Sequence, residues 1–130
     1  MILVDTDVLI WYMRGDIHAR QAIDRTSSMA ISIVTHMELV QGMRDKRELR
    51  ALKRALELWR TAVLPITEEV SYRAMAFVEQ HFHSHAVRVA DALVGATACV
   101  HGIPILTGNT KHYDILEGVD VHVFRQKRAR

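Results

Sequence analysis

The chain has 130 residues, 49% of them hydrophobic and 25% charged, with a formal net charge of +2. That length suits one domain over residues 1–130 with a core of its own, and the composition is that of a soluble globular protein. No apolar run approaches the roughly 20 residues that span a bilayer, so no membrane role is expected. A lone cysteine, Cys99, cannot form an internal disulfide and reads as a small core residue. The chain opens on a strand rather than a leader peptide, which makes the cytoplasm the expected location. The basic tail Arg125 to Arg130 reads as a solvated terminus rather than an arm for nucleic acid.

The first stretch organises the rest. Ile2, Leu3 and Val4 form an apolar run without alternation, as in a parallel strand covered on both faces. The run reaches Asp5, skips Thr6 and presents Asp7. In open α/β sheets ligands bind at the carboxyl ends of strands, which places Asp5 where chemistry occurs. An acid there needs a partner to offset its desolvation, and a metal ion is one such partner. Asp7 also suits the N-cap of a helix over Val8 to Met13.

Gly15-Asp16 punctuates, a short second helix is expected from Ile17 to Arg25, and Met29 to Val34 reads as the second strand. Thr35-His36-Met37-Glu38 has the spacing of a capping box, predicting a helix that opens at Thr35 with Glu38 one turn beyond a strand end. From Asp45 to Arg60, Leu49, Leu52, Leu56 and Trp59 recur at helical spacing, so this segment is expected to pair with the preceding helix as a hairpin. Val63 to Ile66 forms a third strand whose Pro65 favours a sheet edge. A helix follows from Thr67 to about His83, with Val70, Ala74, Phe77 and Val78 on its buried side. His81, His83 and His85 do not make a metal site on a helix, because residues two apart point away from each other.

Asp91 to Val100 is apolar nearly all round after its first residue and reads as a buried helix ended by Gly102. Ile103 to Leu106 is the fourth strand, followed by the turn Thr107-Gly108-Asn109, a short helical piece near Tyr113, and a fifth strand from Val119 to Phe124. If the first and fourth strands are parallel, the buried helix starts at the carboxyl edge of the sheet. Asp91 then shares that edge with Asp5 and Glu38, and Thr107 and Asn109 arrive beside them. Three carboxylates gathered so closely call for a cation. Hard oxygen ligands suit Mg²⁺ or Mn²⁺, and such a site typically hydrolyses phosphodiesters.

Four pieces carry a family resemblance: Leu3 to Leu9, Ser32 to Gly42, His85 to Ala98, and Leu106 to Tyr113. In this order and spacing they resemble a PIN domain of the VapC toxin type over nearly the whole chain. The resemblance implies an α/β protein, a three-layer α/β/α PIN-like fold with a central, mostly parallel sheet of about five strands. It also implies a Mg²⁺- or Mn²⁺-dependent endoribonuclease acting on RNA, the toxin of a toxin–antitoxin pair, homodimeric and held inactive by a cognate antitoxin protein. By the family pattern Asp5, Glu38 and Asp91 are the catalytic, metal-binding acids, with Thr107, Asn109 and Asp7 in support. Many relatives have a fourth acid where this chain has Asn109, and nearby Asp114 is the candidate substitute.

Two other readings fit parts of the same pattern. Asp5-Thr6-Asp7 after a strand also opens a haloacid-dehalogenase-like phosphatase, with Asp5 as nucleophile. That class needs an acid after the fourth strand, where Thr107-Gly108-Asn109 supplies none. A non-catalytic phosphate-receiving module needs an aspartate ending the third strand, where Thr67-Glu68 follows Ile66.

Overall fold

The computed structural model describes residues 1–83 and 87–126. Its sheet contains β1 (Ile2–Val4), β2 (Met29–Ser32), β3 (Ala62–Leu64), β4 (Ile105–Thr107) and β5 (Val121–Val123), in the order β3-β2-β1-β4-β5. All four pairings are parallel, and Pro65 lies just beyond edge strand β3, as its missing N–H requires. The helices are α1 (Thr6–Met13), α2 (Ile17–Asp24), α3 (Ile33–Gln41), α4 (Lys46–Leu58), α5 (Glu68–His81), α6 (Val89–His101) and α7 (Thr110–Tyr113).

Two-residue periodicity divides the strands between two cores. Leu3, Ala30 and Ile105 point to one face and pack with Val70, Phe77, Val94 and Leu116 from the α5, α6 and α7 side. Their neighbours Val4, Ile31 and Leu106 point to the other and pack with Val8, Ile23, Leu39, Leu52 and Leu56 from α1 to α4. Helices therefore cover both faces, giving the three layers expected. Register then fixes the functional edge. Leu3 pairs with Ile105 and Val4 with Leu106, so the next residues in step, Asp5 and Thr107, emerge side by side.

Local sequence starts and stops the helices. The side chains of Asp16, Asp45 and Thr67 each accept a hydrogen bond from a backbone N–H in the first turn of the helix that follows. Gly102 ends α6 in the left-handed region, with φ of +62°, where a Cβ is disfavoured.

Three helix starts differ from the sequence reading, α6 by beginning at Val89, two residues before Asp91. Helix α1 begins at Thr6, so Asp5 rather than Asp7 is its N-cap and Asp7 is its second residue. Helix α3 begins at Ile33, capped by Ser32, whose Oγ accepts from Val34 N–H at 3.1 Å. Thr35 and Glu38 are therefore both inside α3, and no capping box forms. The reason is non-local: β2 remains paired with β3 through Ser32 opposite Leu64, and Ser32 caps the helix at the point where pairing ends. The segment Ala62–Leu64 likewise replaces the longer third strand expected from the apolar run.

The expected hairpin of α3 and α4 is open. The two helices leave between them a groove of about 650 Å³ lined by Val34, Met37, Val40, Leu49 and Lys53. Leu52 and Leu56 are buried in the chain's own core, and Trp59 meets Tyr12 edge-to-face with centroids 4.9 Å apart. Of the three histidines near the end of α5, His85 lies outside the described residues, as do positions 127–130 of the basic tail.

Candidate active site

The carboxyl edge of the sheet brings together side chains from four segments. Asp5 leaves the end of β1 and is only 5% exposed. Its Oδ1 accepts from Thr6 N–H at 2.8 Å, and its Oδ2 accepts from the hydroxyl of Thr107, fully buried at the end of β4, also at 2.8 Å. The Thr107 hydroxyl in turn accepts from Asn109 N–H at 3.0 Å. These donors favour the ionised carboxylate, but burial and the neighbouring Asp7 outweigh them, and Asp5 is pushed up to about 7.

Asp7, in the first turn of α1, accepts from Gly108 N–H at 2.8 Å and Val8 N–H at 2.9 Å, and burial also raises its carboxyl. Gly108 is required by this approach: a Cβ there would stand 2.7 Å from Asp7 Oδ2 and 3.3 Å from the Phe124 carbonyl. Asp7 thus ties α1 to the β4 turn.

Glu38 comes from the second turn of α3. Its carboxylate is exposed and accepts from Thr6 Oγ1 at 2.8 Å. Asp91 is the third residue of α6, and its Oδ2 lies 3.2 Å from His112 Nδ1 on α7. Near both Asp5 and Asp91 is Tyr113, completely buried, whose hydroxyl feels both carboxylates but has no partner at hydrogen-bonding geometry among the described residues. Burial and the nearby acids push its ionisation up, so it remains a neutral phenol.

The all-parallel sheet therefore brings Asp5, Asp91, Asp7, Glu38 and Thr107 to one edge, as the sequence led one to expect. Asn109 contributes its backbone N–H to the edge; its side chain does not cap α7. Asp114 is exposed at the far end of α7, and no described contact joins it to the acids. Thr6, His112, Tyr113 and Gly108 were not singled out from sequence. Each acts across a long sequence separation, and only the immediate position of Thr6 between two acids gave a local signal.

The donors fit a hard divalent cation in kind: carboxylates and a phenol, with an acid at the centre held too high by burial and an orphaned hydroxyl beside it. As the side chains stand, among the described residues no group of three or more His, Cys, Asp or Glu is arranged to hold a metal ion. In this arrangement Glu38 accepts from Thr6 and Asp91 lies against His112.

Fold and site together define an open α/β domain with an acidic rim at the strand ends. A family model for the PIN domain matches residues 2–117, and the chain belongs to the PIN domain family. Among curated relatives it is similar to ribonuclease VapC10 of Mycobacterium tuberculosis, 37% identical over 121 residues, 90% of this chain and 89% of that one. Among solved structures it resembles a chain of a toxin–antitoxin complex from Klebsiella pneumoniae, with 28% identity, a TM-score of 0.78, and coverage of 92% of this chain and 95% of that one. A second structural neighbour is VapBC2 from Rickettsia felis bound to a DNA fragment from its promoter. There the TM-score is 0.82 over 96% of this chain and 100% of that one, and at 13% identity the likeness is one of fold. The phosphatase and receiver readings fall with this assignment.

Proposed function

We propose that this chain is a metal-dependent endoribonuclease that hydrolyses RNA phosphodiester bonds and acts as the toxin of a toxin–antitoxin pair. The reading is supported by the placement of Asp5 just after β1, Glu38 in α3 and Asp91 in α6 towards the same edge of the sheet, in a chain 37% identical to a ribonuclease VapC. Asp5, Glu38 and Asp91 would hold Mg²⁺ or Mn²⁺, with Thr107 and Asp7 in support. When bound, the cation would supply Lewis-acid stabilisation of charge on phosphate and activation of water. The protein's own part is positional. Thr107 aims Asp5 by donating to its Oδ2, and Asp7 fixes the β4 turn through Gly108. A cleft of about 630 Å³ beside Glu38 is lined also by Arg14 and by Arg44, the latter paired with Glu48 at 2.8 Å, and Arg14 suits a phosphate backbone.

The apolar groove between α3 and α4 suits an amphipathic segment of an antitoxin. Helix α5 leaves Tyr72 and Met75 exposed on one side, with Phe82 just beyond its end, a surface suited to a second copy in a homodimer. No described helix is long and apolar enough to cross a membrane.

The test is incubation of purified, antitoxin-free protein with total RNA in Mg²⁺, in Mn²⁺ and in chelator. Discrete cleavage products that vanish with chelator and with Asp91→Asn are the expected result. Intact RNA under all conditions, from protein that melts cooperatively, would overturn the reading.

A further inference from the structure

Thr35 and Glu38 keep the spacing of a capping box but cap nothing, and the side chain both of them meet is Thr6. Thr6 Oγ1 lies 2.8 Å from Glu38 Oε1 and 3.0 Å from Thr35 Oγ1. A hydroxyl has one proton to donate and an ionised carboxylate can only accept. The Thr6 proton therefore points to Glu38, and the proton in the contact between the threonines comes from Thr35. Thr35 is completely buried, which holds this direction in place. Meanwhile the backbone N–H of Thr6 donates to Asp5 Oδ1 at 2.8 Å. One residue at the start of α1 thus grips two of the three acids, each on a different element.

Glu38 needs such a grip. It is an exposed side chain with three rotatable bonds, so solvation and rotamer entropy both favour swinging it outward. A hydrogen bond to a charged acceptor is about twice as strong as a neutral one, and this one is oriented by a second, fully buried hydroxyl.

We infer that Thr6, backed by Thr35, is a positioning residue that keeps the Glu38 carboxylate on the rim, linked through one residue to Asp5, where the proposed cation would bind. The inference rests on the nuclease reading above and deepens it. Loss of a hydrogen bond behind a metal ligand typically weakens metal affinity by about 10–100-fold.

The experiment compares Thr6→Val, which keeps the shape and removes the donor, with Thr6→Ser, which restores it, and with Thr35→Val. For each, Mn²⁺ affinity is measured by calorimetry without RNA, alongside metal-free melting and kcat and KM on RNA. Thr6→Val should bind Mn²⁺ at least about tenfold more weakly and lose kcat at sub-saturating metal with KM for RNA little changed. Thr6→Ser should return close to wild type, and Thr35→Val should fall between. Wild-type Mn²⁺ affinity in Thr6→Val, or a Thr6→Ser no better than Thr6→Val, overturns the inference while leaving the nuclease reading intact. If Thr6→Val does not fold, Thr35→Val decides: weakened Mn²⁺ binding with unchanged melting supports the positioning role, and unchanged binding overturns it. Wild-type protein that neither binds Mn²⁺ nor cuts RNA overturns the nuclease reading, and the inference with it.

Discussion

Asp5→Asn should stabilise the metal-free protein at pH 8 and destabilise it at pH 4. Burial, with Asp7 second, moves the Asp5 carboxyl from 3.8 to about 7, roughly three units at 1.36 kcal/mol each, or on the order of 4 kcal/mol. Because the folded-state value is raised, the neutral acid is the form the fold prefers. Its contribution is fully present below about pH 4, declines as pH rises from 4 to 7, and is lost above 7. Asparagine is neutral throughout but has one carbonyl oxygen where Asp5 accepts from both Thr6 N–H and the Thr107 hydroxyl. The amide can donate to Thr107 Oγ1 as the protonated acid can, but it carries a second N–H left without a described acceptor, at a cost of about 1–2 kcal/mol at every pH. The net expectation is a gain of about 2–3 kcal/mol at pH 8 and a loss of about 1–2 kcal/mol at pH 4. For a chain of this size the gain corresponds to a rise in Tm on the order of 10 °C. The assay is thermal melting of chelator-treated wild type and variant from pH 4 to pH 8. Parallel curves, with no change of sign, would refute the electrostatic reasoning. Millimolar Mn²⁺ at pH 7.5 should narrow the gap, because it stabilises the folded wild type.

Gly108→Ala should destabilise by about 1–3 kcal/mol, since the new Cβ would meet Asp7 Oδ2 at 2.7 Å and the Phe124 carbonyl at 3.3 Å; unchanged chemical denaturation would show that the β4 turn relaxes freely. Tyr113→Phe removes a buried hydroxyl that lies near Asp5 but makes no well-formed hydrogen bond among the described residues, so metal-free stability should rise by about 1 kcal/mol, and a lower Tm would mean that the hydroxyl is hydrogen-bonded in solution. Glu38→Gln should keep both the fold and the start of α3, because Ser32 is the cap, while abolishing RNA cleavage; wild-type cleavage would remove Glu38 from the site.

The layer order and the shared edge of the acids were legible because they follow from two periodicities and one handedness. Continuous apolar runs such as Leu3-Val4 imply parallel strands covered on both sides, and the apolar helix after Asp91 must return from the carboxyl edge. Helix starts were not legible in the same way. The spacing of Thr35 and Glu38 is locally an ideal capping box, but the start of α3 is set by where β2 stops pairing with β3, a fact about residues some thirty positions apart. For α1, the sequence reading makes Asp7 the cap, whereas the helix starts directly where β1 ends and Asp5 caps it. The choice of Asp5 frees Asp7 to reach Gly108 and turns Thr6 toward Glu38. The pairing of Asp91 with His112 depends on α7 packing beside α6, which no local pattern encodes.

The charge balance at the rim explains why these acids are kept in a costly arrangement. The chain has 17 lysines and arginines, yet among the described residues none forms an ion pair with Asp5, Asp7, Glu38 or Asp91, whose described hydrogen-bond and ion-pair partners are backbone N–H groups, threonine hydroxyls and one histidine. An arginine within reach of Asp5 would lower its carboxyl and stabilise the empty fold. It would also occupy the region that the proposed divalent cation would enter, and its planar, permanent charge could not be displaced cheaply. Neutral donors aim the carboxylates without neutralising them. The repulsion left between Asp5 and Asp7 is a stability cost in the free protein, and under the proposed function it would become differential affinity when a cation binds.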